Sequence, residues 1–205
     1  MGEALKVKVG VYLYNRILSE GLSYLLSTVE GVEVVPIDEC SLLFVDKPVV
    51  ATDDVEEAFK RGVKVLLVDT GLSEEEAVFL VKNFPVSGIV YPEMEVGLLK
   101  KCIERVILGE SWFKREFLSV VSRRRETLHI SQLTEKEKQI IDLLLQGKTN
   151  KEVGKELGLA EQTIKYYLNQ LFKKTGCSNR TALIGFLSKV YPLIRGQGQK
   201  LETTP

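Results

Sequence analysis

The sequence predicts an α/β doubly wound domain followed by an all-α domain of four helices. Three observations carry that prediction. Short apolar runs alternate with amphipathic stretches from Lys6 to Gly109, the pattern of strands and covering helices. From Leu133 onward apolar residues instead return every three or four positions, in segments punctuated by Gly147, Gly158 and Gly176. Charge divides at the same place. Residues 1–109 carry 11 Lys+Arg against 18 Asp+Glu, a net of −7, whereas residues 131–190 carry 10 against 6, a net of +4.

Composition narrows the class further. The 205 residues are 44% hydrophobic and 27% charged, as in a globular protein. No apolar run is long enough to span a bilayer, and the N-terminus lacks the pattern of an export signal, so a cytoplasmic protein with no membrane partner is expected. Cys40, Cys102 and Cys177 fit neither a disulfide framework nor a metal-ligand spacing, and read as small core residues. His129 lies in a linker without an evident partner. No Ser/His/Asp, metal or phosphate-loop pattern appears, so no catalytic residue, metal or cofactor is expected.

The elements follow in order. Lys6 to Tyr14 reads as a buried strand, and Arg16 to Val29 as a helix with Ile17, Leu18, Leu22, Leu25 and Leu26 inward, ended by Gly31. Val32 to Ile37 and Ser41 to Val45 read as strands with only Asp38, Glu39 and Cys40 between them. Thr52-Asp53-Asp54 caps a helix to about Arg61, and Lys64 to Val68 is a strand. Ser73 opens a helix to about Asn83, with acidic residues well placed in its first turn. Val86 to Tyr91 is a strand, and Glu93 to about Leu108 a helix ended by Gly109. Phe113, Phe117, Leu118 and Val121 recur at helical spacing in the linker. Arg123-Arg124-Arg125 reads as a solvated charge run, and Gly196 to Pro205 as a disordered tail.

In the C-terminal part, Thr134-x-x-Glu137 and Thr149-x-x-Glu152 are capping boxes that open the first two helices. The third spans about Ala160 to Thr175, and Asn179 opens the fourth. A short helix, a glycine-bearing turn and a longer helix describe a helix-turn-helix. On the third helix Ile164, Tyr167 or Leu168, and Leu171 form one face, while Glu161, Lys165, Asn169 and Lys173 line the other, beside Gln162 and Tyr166. Such a polar face suits a major groove, although periodicity alone equally describes a helical bundle with a solvated face.

The stretch from Leu133 to Leu187 resembles the LuxR/NarL-type helix-turn-helix of bacterial transcription factors. The matching residues are Leu133, Thr134, Glu137, the run Gly147 to Val153, Leu157, Thr163 to Lys165, Leu171, Lys174, Gly176 and Arg180. Two positions depart from that pattern: Ala160 stands where the family has Ser, removing a side-chain N-cap worth roughly 1 kcal/mol, and Tyr167 stands where it has His. The N-terminal part resembles a response-regulator receiver domain of the flavodoxin-like type, most clearly at Ser19 to Leu22, Ser87 to Tyr91, Gly97 to Val106 and Gly109 to Trp112. Between Val32 and Val45 the match fails, because the family has a whole helix there. Either that helix is deleted or the local topology differs.

The resemblance implies site residues and boundaries. Lys165, Tyr166 and Asn169 are expected at base edges, and Asn150, Lys151, Gln162, Thr163, Lys173 and Lys174 at phosphates. Leu183, Phe186, Leu187 and Val190 are expected to form a homodimer contact, with the domain's own core as the alternative role. Double-stranded DNA, a second copy and RNA polymerase are the implied partners. The expected divisions are a receiver-like domain at 1–109, a partly helical linker at 110–131, the helix-turn-helix domain at 132–195 and a tail at 196–205.

Receivers accept a phosphoryl group on an aspartate ending the third strand, where this chain has Asp46. They also need two magnesium-holding acidic residues, which align with Leu13 and Tyr14, and a lysine, which aligns with Pro92. Asp69 or Thr70 falls at the hydroxyl position. The expectation is a receiver that works without phosphorylation. The rival expectations are a phosphorylation-switched regulator using Asp46, and an interaction module that binds protein rather than DNA.

Overall fold

The computed structural model describes residues 6–123 and 133–195. His129, Arg124, Arg125 and the tail at 196–205 lie outside them. The described residues divide into two compact units, 6–73 with 84–118 and Arg195, and 74–83 with 119–123 and 133–194. This division parts from the boundary at residue 109 chiefly at Glu74–Asn83, which groups with the second unit.

The first part of the chain runs β1 (Val7–Tyr12), α1 (Arg16–Ser27), β2 (Val32–Val34), β3 (Leu42–Val45), α2 (Asp53–Lys60), β4 (Lys64–Val68), α3 (Glu74–Asn83), β5 (Val86–Val90) and α4 (Val96–Ile107). The strands form one parallel sheet in the order β2-β1-β3-β4-β5. Strand residues alternate between its faces. Val9, Val32, Leu42, Phe44, Leu66 and Val90 meet Leu26 of α1 and Leu99, Cys102, Ile103 and Val106 of α4 in a buried cluster. Leu43, Val45, Val65 and Leu67, on the other face, are buried as well.

The missing crossover helix is resolved by register. β2 and β3 are not neighbours, since β1 lies between them. Val9 is opposite Val34 on one side and Leu42 on the other, so β3 begins at the level where β2 ends. The chain therefore has to pass over one strand, about 10 Å, without running back the length of the sheet. Residues 35–41 make that passage as a strap. Val35 N–H donates to the Val9 carbonyl (2.9 Å) and Ser41 N–H to the Lys8 carbonyl (3.0 Å), pinning its two ends to β1. The crossing is at Gly10, where an added Cβ would lie 3.1 Å from Cys40 Sγ and 2.9 Å from Leu43 Cδ1. The Arg61 guanidinium donates to the carbonyls of Ile37 and Asp38 and holds the strap from outside.

A second close approach joins two stretches that the receiver resemblance rested on separately. Trp112 N–H donates to the Ser87 carbonyl (2.8 Å), and Ile89 N–H to the Trp112 carbonyl (2.9 Å). A Cβ at Gly88 would sit 2.6 Å from that carbonyl oxygen. The linker holds α5 (Arg115–Arg123), and Phe117 of that helix meets Phe113, just before it, at 5.8 Å between ring centroids.

Several expected inward positions differ. Ile17 and Leu18 are 81% and 48% exposed, because the first turn of α1 borders a cavity instead of the packed core. Leu118, read only as one of the linker residues at helical spacing, is exposed on α5. Thr52 is the N-cap of α2, but its hydroxyl donates to the Val49 carbonyl (2.8 Å) and makes no cap bond.

The C-terminal helices are α6 (Glu135–Leu145), α7 (Asn150–Leu157), α8 (Glu161–Thr175) and α9 (Arg180–Arg195). Both capping boxes form. Ile140, Ile141, Leu144, Val153, Ile164 and Leu171 are buried. Leu183, Leu187 and Val190 on α9 are fully buried within the single chain, while Phe186 is half-buried. Burial thus gives Leu183, Leu187 and Val190 the alternative role, in the domain's own core, and leaves Phe186 as the member of the stripe open to a dimer contact. Helical spacing marks a buried stripe without saying what buries it.

Candidate nucleic-acid interface

The interface is built on α7 and α8, and glycines set their geometry. Gly158 ends α7 in the left-handed region at φ 66°, and the Leu159 N–H donates to the Gly154 carbonyl (2.8 Å). A Cβ at Gly154 would lie 2.6 Å from the Leu159 carbonyl oxygen, so α7 and the following turn meet only because that side chain is absent. Gly154 was missed at the level of sequence. The signal was there, since a glycine inside a short helix costs about 1 kcal/mol and usually marks a close approach.

α8 starts without help from a side chain. Ala160 is its N-cap and makes no cap hydrogen bond, so only its carbonyl takes part, accepting from Thr163 N–H (2.9 Å) and Ile164 N–H (3.2 Å). Ile164, Leu168 and Leu171 anchor the inner face. That settles the inner residue in favour of Leu168, with Tyr167 half-buried and its ring edge-on to Tyr166 at 5.8 Å. Gln162, Lys165, Tyr166, Asn169 and Lys173 are exposed together on the outer face, Tyr166 at 60%. Thr163 is half-buried. The Lys165 ammonium lies 3.0 Å from the Glu161 carboxylate, an exposed pair one helical turn apart. Such pairs contribute about 0.5 kcal/mol or less, so Lys165 is readily released to another acceptor.

The α7 N-terminus is fixed by α9. Arg180 Nη1 donates to the Asn150 side-chain oxygen at 3.0 Å, and Nη2 donates to the Lys148 carbonyl. This occupies the Asn150 oxygen and leaves its amide as the group able to donate to a phosphate. Lys151 is exposed.

Lys174 has another role than the one expected. Its ammonium lies 2.8 and 2.7 Å from the two carboxylate oxygens of Glu137, whose side chain is 4% exposed. The same carboxylate accepts from Thr134 N–H (2.8 Å) and from the Thr134 hydroxyl (3.0 Å). Burial alone would push the Glu137 carboxyl up, but Lys174 and Thr134 outweigh it and hold the group below its ordinary value. The expected phosphate contact of Lys174 is thus replaced by an ion pair joining α6 to α8.

In the first unit, Asp46 is buried just after β3, and both its carboxylate oxygens lie 3.2 Å from Tyr14 N–H. Burial raises its pKa above the ordinary carboxylate value, against the lowering effect of the Tyr14 N–H. Leu13 beside it is buried. The Asp69 carboxylate accepts from Gly71 N–H (2.9 Å) and Leu72 N–H (2.8 Å), closing a turn. Near the position of Pro92, the Lys114 ammonium sits 3.6 Å from the centre of the Tyr91 ring. Among the described residues no group of three or more acidic, Cys or His side chains is placed to hold a metal ion. No described helix is long and apolar enough to cross a membrane.

Residues 131–187 match the family described as bacterial regulatory proteins, luxR family. The chain is 28% identical over 132 residues to the CsgBAC operon transcriptional regulatory protein of Escherichia coli K12, covering 62% of this chain and 60% of that protein. It is 27% identical over 129 residues to the DNA-binding transcriptional activator DevR/DosR of Mycobacterium tuberculosis, covering 60% and 59%. The matches thus span about 60% of the length of these curated relatives. Among solved structures, RcsB from Salmonella enterica serovar Typhimurium bound to the promoter P1flhDC aligns at a TM-score of 0.57 and 20% identity, over 90% of this chain and 99% of that one. That likeness is one of fold.

Proposed function

We propose that this chain, whose residues 131–187 belong to the luxR family of bacterial regulatory proteins, is a sequence-specific DNA-binding transcriptional regulator. The two relatives are a transcriptional regulatory protein and a DNA-binding transcriptional activator. The observation that carries the reading is the outer face of α8, where Lys165, Tyr166 and Asn169 stand exposed on a helix locked by its buried side and by the Gly154 turn. Lysine donates to guanine O6 or N7, asparagine pairs with adenine, and tyrosine packs on a thymine methyl. Gln162, Thr163, Lys173, Lys151 and the Asn150 amide flank that face and fix register on phosphates. A second copy completes the site, because one such helix reads few bases. With Leu183, Leu187 and Val190 in the core, the outer side of α9 around Ala182, Gly185 and Phe186 is the surface left for that contact.

Selecting bound fragments from a pool of random duplexes, then measuring affinity against salt, tests this. The expected result is one enriched motif and a steep fall in affinity as salt rises. Binding that is indifferent to salt and sequence would assign the helices to a protein partner instead.

The N-terminal domain works without phosphorylation in this reading. Leu13 and Tyr14 offer no magnesium ligand, and the Asp46 carboxylate is already buried against a backbone N–H. The rival is a phosphorylation switch, favoured by the place of Asp46 at the end of β3. Incubation with acetyl phosphate and magnesium, followed by intact-mass measurement, separates them. No mass gain is expected. A gain mapped to Asp46 with tighter DNA binding would establish the switch.

A further inference from the structure

We infer that the N-terminal domain holds a binding site for a small, uncharged, apolar molecule carrying one hydrogen-bond donor. The site is a cavity of about 580 Å³ between α1 and the ends of β1, β4 and β5. That volume lies within the range of small-molecule pockets, roughly 300–1,000 Å³. Leu13, Leu22, Leu25 and Val68 form its floor and inner wall, and Ile17 and Leu18 its exposed rim.

The pocket lies beyond the carboxyl ends of β1, β4 and β5, the end of an open α/β sheet at which ligands bind. In this chain that end is lined by leucine and valine, so the chemistry it suits is apolar. The exposure of Ile17 and Leu18 follows, because a helix edge that borders a cavity has no core to enter.

Asp69 and Thr70 are the polar side chains of its lining. The Asp69 oxygen Oδ1 is committed to Gly71 and Leu72, which leaves Oδ2 as an acceptor for a ligand hydroxyl or amide. A carboxylate there disfavours an anionic ligand. A concave site of this volume fits a small molecule better than the flat face that a second copy would need.

The full chain would be titrated with the neutral fluorescent probe N-phenyl-1-naphthylamine. Saturable 1:1 binding is expected, with dodecan-1-ol displacing the probe at least tenfold better than dodecanoate at neutral pH. Asp69→Asn, which keeps the turn acceptor, should narrow that preference. Gly21→Leu fills the mouth from a helical position where an added Cβ meets nothing within 4 Å, so the fold should persist while probe affinity falls at least tenfold. Thr70→Trp, at an exposed lining position, is the second blocking variant should Gly21→Leu not fold. Absence of saturable binding overturns the site, as does unchanged affinity in a folded blocking variant. Equal displacement by alcohol and carboxylate overturns the assignment of Asp69. A dimer seen by light scattering, lost in Ile17→Glu and with no probe binding, would give the surface to a second copy. The test needs no DNA, so its outcome is independent of the DNA-binding reading.

Discussion

Lys173 and Lys174 are adjacent in sequence and identical in type, and the fold gives them different work. Lys173 is exposed on the outer face of α8, whereas Lys174 closes on the buried Glu137 carboxylate. Helical spacing places the two 100° apart, but it cannot show that an acidic side chain from α6 waits for one of them. Lys173→Ala should therefore weaken all DNA sequences alike and lower the salt slope by about one unit, read from affinity against log salt. Asn169→Ala should cost about 1–3 kcal/mol at the best site and relax preference at one base position, as measured by repeating the selection. Glu137→Gln should destabilise the helical domain by about 1.5–3 kcal/mol, because it strips a charged partner from Lys174. The Glu137 carboxyl is held below its ordinary value of 4.5, so its contribution is complete above that pH and is lost as pH falls through the folded value. Urea unfolding of the parent protein should show that acid loss, and the variant should lack Glu137's share of it.

Among the elements, the helices of the second half were legible nearly to the residue. Their caps are local: Thr134 and Glu137 lie within one turn of each other, and so do Thr149 and Glu152. The apolar stripe of α9 was legible as a stripe, but its partner was not, since burial is a property of the assembled domain. Leu187→Glu should thus unfold the domain, while Phe186→Glu, at a half-buried position, should leave it folded and weaken dimerisation on DNA. Circular dichroism and light scattering with operator duplex distinguish the two. The passage between β2 and β3 was the opposite case. The short spacing showed that no helix fits, and the way round depended on a register that spans three strands. Gly10 now explains itself as the crossing point. Gly10→Val places atoms against Cys40 and Leu43 and should cost about 1–3 kcal/mol, visible as a lower midpoint in thermal unfolding.

For the molecule as a whole, the division of charge was readable before any fold, with a net of −7 over residues 1–109 and +4 over residues 131–190. In the proposed reading it confines affinity for DNA to the half that carries α8. The pocket beside α1 was not readable, because Ile17 and Leu18 have the spacing of core residues and only three-dimensional packing leaves them at the edge of an open pocket. The strap has a further consequence, for the order in which the chain acquires structure. In most parallel sheets neighbouring strands wait for a long crossover to be made. Here β1, β2 and β3 are complete within residues 7–45, and their pairings are short in sequence. Lower contact order speeds folding, and these residues are synthesised before those of β4 to α4. The three strands are thus placed to assemble before α4 is synthesised, with their apolar face covered by α1 alone. The central part of the sheet then serves as the template on which β4 and β5 are laid down as they emerge.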